Sequence, residues 1–487
     1  MNSHFDLIII GSGPGGYVAA VEAASYGLKT AIVEKAEPGG ICLNWGCIPT
    51  KTLLDTAKLL EKVRKLDRFG ISVPKKEVRF DLAKIVKRSR DVASKFSKGV
   101  EYLFKINEIT HFAAEATFAD AHTLRLQHVE RTKGELPDTI SAKYIIIAAG
   151  ASPRTFPGML PDNNRIITYR QALIPEKLPE KMAILGAGSI GVEFAYIYMA
   201  LGVEVHLFEM LPTILPLEDS EASAFLTAEF MRKKIKIYTS TKITQVDNTE
   251  TGLKLTCVAA SEDEYAQKIN RPDVLEVDQL LVAVGVKPNS ANLGLENAGV
   301  ETDNGFIKID RSNASYQTNV TGIHAIGDVT GMPLLAHKAS HEGTVCVQWI
   351  AHKEGKRKHA PEPYDYNLVP GVTFTEPEIA SVGMNEESAR NAGYDVKIGQ
   401  YPYSANGRAA AGGENRGFVK LIFDKKTDKL LGGIVAGANA GEVLTNIIIP
   451  LNMGLNSERI KEILLPHPTL GEMITEAARI ADGIKLL

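Results

Sequence analysis

The stretch FDLIIIGSGPGGYVAAVEAASYGLKTAIVEK, residues 5–35, decides the fold of the N-terminal part of this chain. The apolar run before Gly11 predicts a buried strand, the small residues that follow predict a helix, and a second apolar run ends at Glu34. In such a unit Gly11 permits a tight turn, Gly13 lets the backbone approach a pyrophosphate, and Gly16 permits close packing of helix and strand. The helix N-terminus offers N–H groups to the phosphates, and Glu34 is the expected acceptor for a ribose diol. The stretch therefore predicts a dinucleotide-binding fold.

The same pattern recurs in KMAILGAGSIGVEFAYIYMALGVEVHLFEM, residues 181–210. Gly186, Gly188 and Gly191 repeat the glycine spacing, and an acid, Glu209, again follows the first glycine by 23 residues. No lysine or arginine lies among the next 22 residues, so a 2′-phosphate would meet a carboxylate without a cation from this segment. We predict that the second site binds NAD rather than NADP. Two copies imply two nucleotide cofactors or a duplicated binding domain.

Length and composition are those of an ordinary soluble protein with several domains. A chain of 487 residues suggests roughly three domains. A net charge of -3 with interspersed charges argues against a nucleic-acid surface. No apolar run reaches the ~18–20 residues of a membrane span, and the N-terminus lacks a signal-peptide pattern. With only four cysteines, we predict a cytoplasmic protein, although a mature organelle protein would look the same.

Later segments complete the plan of the fold. Two apolar runs, at 143–158 and 279–289, contain the glycine turns Gly150 and Gly285. A third run, GIHAIGDVTG, places Asp328 just after a predicted strand, where an open α/β sheet binds polar ligands. The remaining C-terminal part alternates strands and helices. We predict an α/β chain with two Rossmann-like dinucleotide-binding domains and a C-terminal α+β domain.

The segment GGICLNWGCIPTK, residues 39–51, holds two of the four cysteines, Cys42 and Cys47. A zinc site would need a second Cys or His pair at matching spacing. His337 and His341 stand four residues apart, a possible ligand spacing, but no acid partner accompanies them. We therefore predict no metal site. A redox couple and two buried thiols that pack as small hydrophobic groups are the remaining alternatives.

The residues around the two cysteines favour the redox couple. Positions five apart on a regular helix do not meet, so a disulfide requires a distorted turn. Asn44, Gly46 and Pro49 permit such a turn, and the residues after Pro49 have helical periodicity. Cys47 is then expected near a helix N-terminus, where the helix dipole lowers a thiol pKa and favours the thiolate. We interpret the pair as a redox relay.

With these motifs in place, the chain resembles the flavin-dependent pyridine nucleotide–disulfide oxidoreductases over essentially its whole length. GGICLNWGCIPTK resembles their redox-active disulfide, HAIGDV their second FAD fingerprint, and LPHPTLGE their catalytic His-Glu signature. The resemblance implies FAD in the first dinucleotide fold and NAD in the second. It also implies four ranges: an FAD-binding domain at 1–150, an NAD-binding domain at 151–281, a central segment completing the FAD domain at 282–350, and a dimerisation domain at 351–487.

The resemblance further implies roles for individual residues. Cys42 is expected to be the interchange thiol, with Cys47 against the flavin. His467 is expected to be the general base, oriented by Glu472. Lys51 is expected near the flavin N5, paired with Glu193. The residues expected to bind the cofactors are Gly11, Gly13, Gly16, Glu34, Lys51, Gly150, Asp328, Ala336, Gly186, Gly188, Gly191, Glu193, Glu209 and Gly285.

Within this family, the chain most resembles the members that oxidise protein-bound dihydrolipoyl groups with NAD. A glutathione-reductase-like enzyme and a non-catalytic flavoprotein subunit or redox sensor are the alternatives. The resemblance implies a homodimer in which His467 serves the disulfide of the other subunit. The implied partner is a lipoyl-bearing acyltransferase or a glycine-cleavage carrier protein; neither nucleic-acid binding nor membrane insertion is expected.

Overall fold

The computed structural model describes residues 3–74 and 77–485. The ends of the first and last predicted domains, 1–2 and 486–487, lie outside the described residues. The described parts of three segments, Met1–Thr52, Ala83–Arg154 and Gly285–Tyr364, form one compact unit. Those of Leu53–Leu82, Thr155–Val284 and Asp365–Leu487 form a second. The four predicted domain ranges remain a prediction.

The strands of the two units are numbered together along the chain. They are β1 Ser3–Ile10, β2 Thr30–Glu34, β3 Thr110–Phe118, β4 Thr123–His128, β5 Thr139–Ile147, β6 Ala151–Pro153, β7 Ile166–Ile167, β8 Lys181–Leu185, β9 Glu204–Phe208, β10 Lys236–Tyr238, β11 Thr241–Asn248, β12 Leu253–Ala259, β13 Val274–Val277, β14 Gln279–Val282, β15 Val286–Pro288, β16 Thr302–Asp303, β17 Phe306–Ile307, β18 Ile323–Ala325, β19 Gly371–Thr373, β20 Glu378–Gly383, β21 Val396–Pro402, β22 Phe418–Asp424 and β23 Leu430–Gly437.

The helices are numbered in the same way. They are α1 Pro14–Ser25, α2 Gly40–Trp45, α3 Cys47–Val63, α4 Leu82–Ile106, α5 Tyr169–Ala172, α6 Ser189–Ala200, α7 Ser220–Arg232, α8 Glu264–Lys268, α9 Leu295–Ala298, α10 Ala336–Lys353, α11 Glu386–Asn391, α12 Gly407–Ala411, α13 Ala440–Asn452, α14 Ser457–Lys461 and α15 Glu472–Ala481. Within the described ranges, no helix combines the length and the apolar character that crossing a membrane requires.

The first unit is built on parallel strands in the order β3-β2-β1-β5-β18, with β4 antiparallel to β3 and β5. Ile10 pairs with Val33 on one side and with Ile147 on the other, so the carboxyl ends of three strands lie level. Residues 7–10 of β1 are buried, as expected for a parallel strand covered on both faces. This arrangement brings the predicted glycine turn, Glu34 and Asp328 to one edge of the sheet.

The second unit contains a five-stranded parallel sheet in the order β10-β9-β8-β14-β7 and a three-stranded antiparallel sheet, β11-β12-β13. Its C-terminal part forms an antiparallel sheet in the order β19-β20-β23-β22-β21. Apolar residues of α13 and α15 share a hydrophobic core with that sheet, among them Leu444 and Ile474. The predicted fold class, two dinucleotide-binding folds and a C-terminal α+β domain, is confirmed.

Candidate active site

The first glycine loop, Gly11–Gly16, has the geometry that a pyrophosphate site needs. Gly11 has a φ of +98°, and a methyl group there would lie 2.4 Å from the carbonyl oxygen of Ala148. A methyl group at Gly16 would lie 1.9 Å from the Gly11 carbonyl oxygen, so only glycine lets α1 approach β1 this closely. At Gly13, by contrast, no described atom beyond Gly13 and its two chain neighbours would lie within 4 Å of such an added carbon. The space beside Gly13, at the N-terminus of α1, therefore suits a phosphate group.

The second glycine loop, Gly186–Gly191, repeats this geometry closely. Gly186 has a φ of +101°, and its added methyl group would lie 2.5 Å from the Ala283 carbonyl oxygen. A methyl group at Gly191 would lie 1.8 Å from the Gly186 carbonyl oxygen. Gly188 has open space where Gly13 has it, as far as the described residues show. Both loops therefore fit a dinucleotide by the same physical test.

Two buried acids, Glu34 and Glu209, fasten the glycine loops. The Glu34 carboxylate accepts hydrogen bonds from the backbone N–H and the hydroxyl of Ser12, both at 2.8 Å, and from the N–H of Ala36 at 2.8 Å. Glu209 accepts from the N–H groups of Ala187 at 2.8 Å and of Leu211 at 2.9 Å. A carboxylate offers about four lone-pair sites, so each acid retains capacity for a ribose hydroxyl. Each acid thus holds its own glycine loop and still has an acceptor site for the predicted ribose hydroxyl.

Asp328 lies in a turn that a buried ion pair supports. The Glu342 carboxylate accepts from the backbone N–H of Gly327 at 2.7 Å, and Lys338 Nζ lies 3.4 Å from that carboxylate. Lys338 also donates to the carbonyl oxygens of Gly327 at 3.2 Å and Gly331 at 3.1 Å. Burial lowers the pKa of Lys338 and raises that of Asp328. Sequence reasoning missed Lys338 and Glu342, although their i, i+4 spacing on one helix could have indicated them.

The two cysteines are joined in a disulfide, Cys42–Cys47, with a Cα–Cα distance of 4.7 Å. Helix α2 ends at Trp45 and α3 begins at Cys47. The backbone turns at Gly46, where a methyl group would lie 3.1 Å from the Ile41 carbonyl oxygen. Cys47 is the first residue of α3, so the predicted position near a helix N-terminus is confirmed. Both cysteines are half-buried.

His467 and Glu472 form the predicted pair. His467 Nδ1 and Glu472 Oε1 lie 2.8 Å apart, and the backbone N–H of Thr469 donates to Glu472 Oε2 at 2.7 Å. The hydrogen bonds from Thr469 and His467 hold the pKa of Glu472 below its ordinary value, so its side chain is a carboxylate at neutral pH. The His467 side chain is 79% exposed. Its free ring edge therefore faces outward from this chain.

The other predicted site residues take three kinds of position. Gly150 and Gly285 have φ values of +68° and +93°, in open surroundings among the described residues. Ala336 is the first residue of α10, and Lys51 lies in the first part of α3. The Glu193 carboxylate, on α6, accepts from the backbone N–H of Phe374 at 2.9 Å. The pairing of Lys51 with Glu193 remains a prediction.

His337 and His341, the pair at a possible ligand spacing, lie on α10. No group of three or more His, Cys, Asp or Glu side chains suited to a metal ion occurs in the described ranges. The His341 ring instead packs edge-on against Tyr364, with ring centroids 4.5 Å apart. Burial lowers the His341 pKa. A packed neutral histidine is the role that these contacts support.

Models of one protein family match most of this chain. The model described as pyridine nucleotide-disulphide oxidoreductase matches residues 5–343, and the dimerisation domain of the same family matches residues 369–478. The chain belongs to the pyridine nucleotide-disulphide oxidoreductases. This family membership confirms the resemblance seen in the sequence motifs, the two cofactors FAD and NAD, and a homodimeric assembly.

Relatives in this family extend over the whole chain. The dihydrolipoyl dehydrogenase of Rhizobium etli is 42% identical, with 99% of each chain covered. That of Chlorobaculum tepidum is 42% identical, with 98% of this chain and 97% of the relative covered. Among solved structures, LpdA from Mycobacterium tuberculosis is 26% identical, with a TM-score of 0.86 over 98% of this chain and 99% of that one. The HOCl-induced flavoprotein disulfide reductase RclA from Escherichia coli, in a Cu(II) complex, is 26% identical with a TM-score of 0.83, over 99% of this chain and 100% of that one.

Proposed function

We propose that this chain is a homodimeric dihydrolipoyl dehydrogenase that oxidises protein-bound dihydrolipoyl groups with NAD. Full-length relatives of that name support the activity. The observation that carries the proposal is the Cys42–Cys47 disulfide at the start of α3, in the unit that holds the first glycine loop. In the overall reaction a dithiol gives up two electrons and two protons. NAD⁺ takes the electrons and one proton as hydride, and the second proton is released.

The disulfide receives the electron pair from the substrate. A substrate thiolate attacks Cys42 in this proposal, so a mixed disulfide forms and the Cys47 thiolate leaves. The second substrate thiolate then attacks the substrate sulfur of the mixed disulfide, which closes the lipoyl ring and frees Cys42. The N-terminus of α3 stabilises the Cys47 thiolate, because unpaired N–H groups and the helix dipole favour negative charge there.

His467 is the group that removes the thiol proton. Glu472 is ionised and can only accept, so Nδ1 of His467 carries the hydrogen in their 2.8 Å bond. This leaves the Nε2 lone pair free to take a proton from the substrate dithiol. Because the His467 side chain is largely exposed on its own chain, it serves the disulfide of the second subunit in the proposed dimer.

The two glycine loops fit the two cofactors. FAD would be held by the first glycine loop, Glu34 and the turn at Asp328, and NAD by the second loop and Glu209. When bound, the flavin supplies the two-electron link between the disulfide and NAD. The described residues contribute the fixed loops, the open space at Gly13 and Gly188, and acceptors for ribose hydroxyls.

The partner and the compartment belong to the same proposal. The substrate dithiol would arrive on another protein, a lipoyl-bearing acyltransferase or a glycine-cleavage carrier protein. Few cysteines and an ordinary mixed charge fit a cytoplasmic setting.

The deciding experiment measures NADH formation from dihydrolipoamide and NAD by the purified holoprotein. Cys47→Ser should abolish turnover, whereas Cys257→Ser, a matched change at a buried free cysteine, should leave it within about twofold. NADPH with glutathione disulfide, run in parallel, should give no turnover. Activity only in that second assay would favour a glutathione-reductase-like enzyme. Flavin binding without turnover in either assay would favour a redox sensor or a structural subunit.

A further inference from the structure

Helix α4 fastens the backbone that carries the disulfide. Four of its side chains donate hydrogen bonds to carbonyl oxygens in residues 38–52: Ser97 Oγ to Pro38 at 2.8 Å, Arg90 Nη1 to Asn44, Ser89 Oγ to Pro49 at 3.1 Å, and Arg88 Nη1 to Thr52 at 3.2 Å. Ser89 and Ser97 are buried. One helix therefore holds the segment before, between and after the two cysteines.

Arg90 holds the part between the cysteines. Its guanidinium carbon lies 4.0 Å from the centroid of the Trp45 ring, and its Nη1 donates to the Asn44 carbonyl oxygen. The Trp45 indole N–H donates to Glu37 at 3.4 Å, so the ring is held at its edge as well as on one face. The Asn44 side chain donates to the Pro38 carbonyl at 3.0 Å. Residues 44 and 45 are thus fixed independently of the sulfur–sulfur bond.

Contacts of this kind affect the two redox states of the pair unequally. While the disulfide is closed, the covalent bond itself restrains the loop. Once it is open, noncovalent contacts alone keep the Cys42 and Cys47 thiols adjacent. A contact that restrains the open loop raises the effective concentration of one thiol at the other, and so favours reclosure.

The charge of Arg90 acts in the opposite direction. A cation near a thiol favours the thiolate and therefore the reduced form. The ring contact and the hydrogen bond of Arg90 act at contact distance on Trp45 and Asn44, the residues between the two cysteines, whereas a charge effect on the sulfur atoms weakens with distance. The restraint is therefore the larger effect.

We propose that Arg90 is a positioning residue of the redox centre, which sets the potential of the Cys42–Cys47 couple by holding Asn44 and Trp45. The inference rests on the proposed function in one respect: it takes Cys42–Cys47 as the disulfide that is reduced and reoxidised during catalysis. The sequence does not single out Arg90, which is one of several basic residues in KRSRDVASK.

The test equilibrates the holoprotein anaerobically with mixtures of reduced and oxidised dithiothreitol. In each exchange dithiothreitol loses two electrons and two protons and closes to its cyclic disulfide, while the Cys42–Cys47 bond opens to two thiols. Acid quenching, alkylation and mass spectrometry then give the reduced fraction. Arg90→Met should be half-reduced at an about tenfold lower ratio of reduced to oxidised dithiothreitol, which corresponds to a midpoint potential about 30 mV higher.

Arg88→Met is the matched control. It removes the same charge from the same helix, but its hydrogen bond goes to Thr52, beyond the second cysteine. In Arg88→Met we expect the dithiothreitol ratio at half-reduction to change by less than about twofold. Arg90→Lys should also raise the midpoint, because it loses the flat ring contact and keeps the charge that favours the reduced form.

Trp45→Leu removes the same ring contact by changing Trp45 instead of Arg90. It should also raise the midpoint, and it replaces Arg90→Met as the test if that variant does not fold. In the double variant the two shifts should add to less than their sum, because both changes remove the same ring contact. An unchanged midpoint in Arg90→Met, or a pair that becomes harder to reduce, would overturn the inference. A wild-type pair that does not titrate reversibly would instead overturn the proposed function.

Discussion

The two glycine loops share one backbone design in different surroundings. In the first, Gly15 is buried beneath α10, and a methyl group there would lie 2.9 Å from the Ala339 carbonyl oxygen. In the second, the corresponding residue is Ile190, which is 41% exposed, next to an exposed Ser189. A covered loop suits a cofactor that stays bound, and an open loop suits one that must enter and leave at each turnover. We therefore expect the shared motif to bind a dinucleotide in both loops, and the covering helix to hold the one in the first loop more firmly.

The strongest test of this comparison replaces the third glycine of each loop. Gly16→Ala and Gly191→Ala each place a methyl group less than 2 Å from a carbonyl oxygen, beyond the roughly 1–3 kcal/mol of ordinary overpacking. Gly16→Ala should yield protein without bound flavin. Gly191→Ala should keep its flavin and lose NAD reduction. Flavin absorbance and NADH formation measure the two results, and loss of flavin in both variants would break the comparison.

The next test concerns the acids that fasten the loops. An amide cannot accept at both ends, so Glu34→Gln leaves a donor of Ser12 or Ala36 without its acceptor. An unsatisfied buried donor costs up to about 3 kcal/mol, so Glu34→Gln should weaken flavin binding about a hundredfold. Glu209→Gln, with two donors to satisfy rather than three, should raise KM for NAD about tenfold with little change in kcat. Equilibrium dialysis of flavin and steady-state kinetics provide the measurements. Equal effects on flavin retention would contradict the assignment of the loops.

A buried histidine makes the first unit sensitive to acid. His324, on β18, is fully buried, its Nδ1 lies 2.8 Å from the Ser315 carbonyl oxygen, and its ring contacts those of Tyr144 and Trp349. Burial lowers its pKa from 6.5 to about 4, so the unfolded chain binds the proton first as pH falls. Stability is therefore lost from about pH 6.5 down to about pH 4, and by about 2 kcal/mol between pH 7 and pH 5.

Replacing this histidine tests whether the acid sensitivity of the protein comes from the first unit. His324→Phe should remove most of that pH dependence, measured as urea-induced flavin release at pH 7 and pH 5. His341→Phe, at an exposed histidine of α10, is the control and should remove less. An undiminished acid sensitivity in His324→Phe would exclude this histidine as its source.

The smallest expected effect comes from the covering helix itself. Gly15→Ala should destabilise flavin retention by roughly 1–2 kcal/mol, because α10 must give way to the added methyl group. Ile190→Ala, at the corresponding exposed position, should change stability by less than about 0.5 kcal/mol. Thermal release of flavin and thermal unfolding measure the pair. Similar effects at both positions would mean that α10 does not contribute to flavin retention.

Motifs with local geometry were predictable from the sequence. Both glycine loops, their acids and the Cys42–Cys47 pair depend on turns and helix starts formed within about 30 residues. The helix predicted to follow Pro49 begins three residues before Thr50, at Cys47, because helix boundaries depend on capping geometry that periodicity does not resolve. The roles assigned to Lys51, Glu193 and His467 remain predictions.

What the sequence by itself determined is the set of steric and chemical requirements that a short stretch must meet: glycine where a side chain would strike a carbonyl, an acid at a strand end, and two thiols across a turn. What only the tertiary structure decided is which distant side chains meet those stretches. Arg90 at the disulfide loop and the cover of α10 over Gly15 join segments separated by tens to hundreds of residues. Such contacts follow from packing, which sequence periodicity alone does not encode.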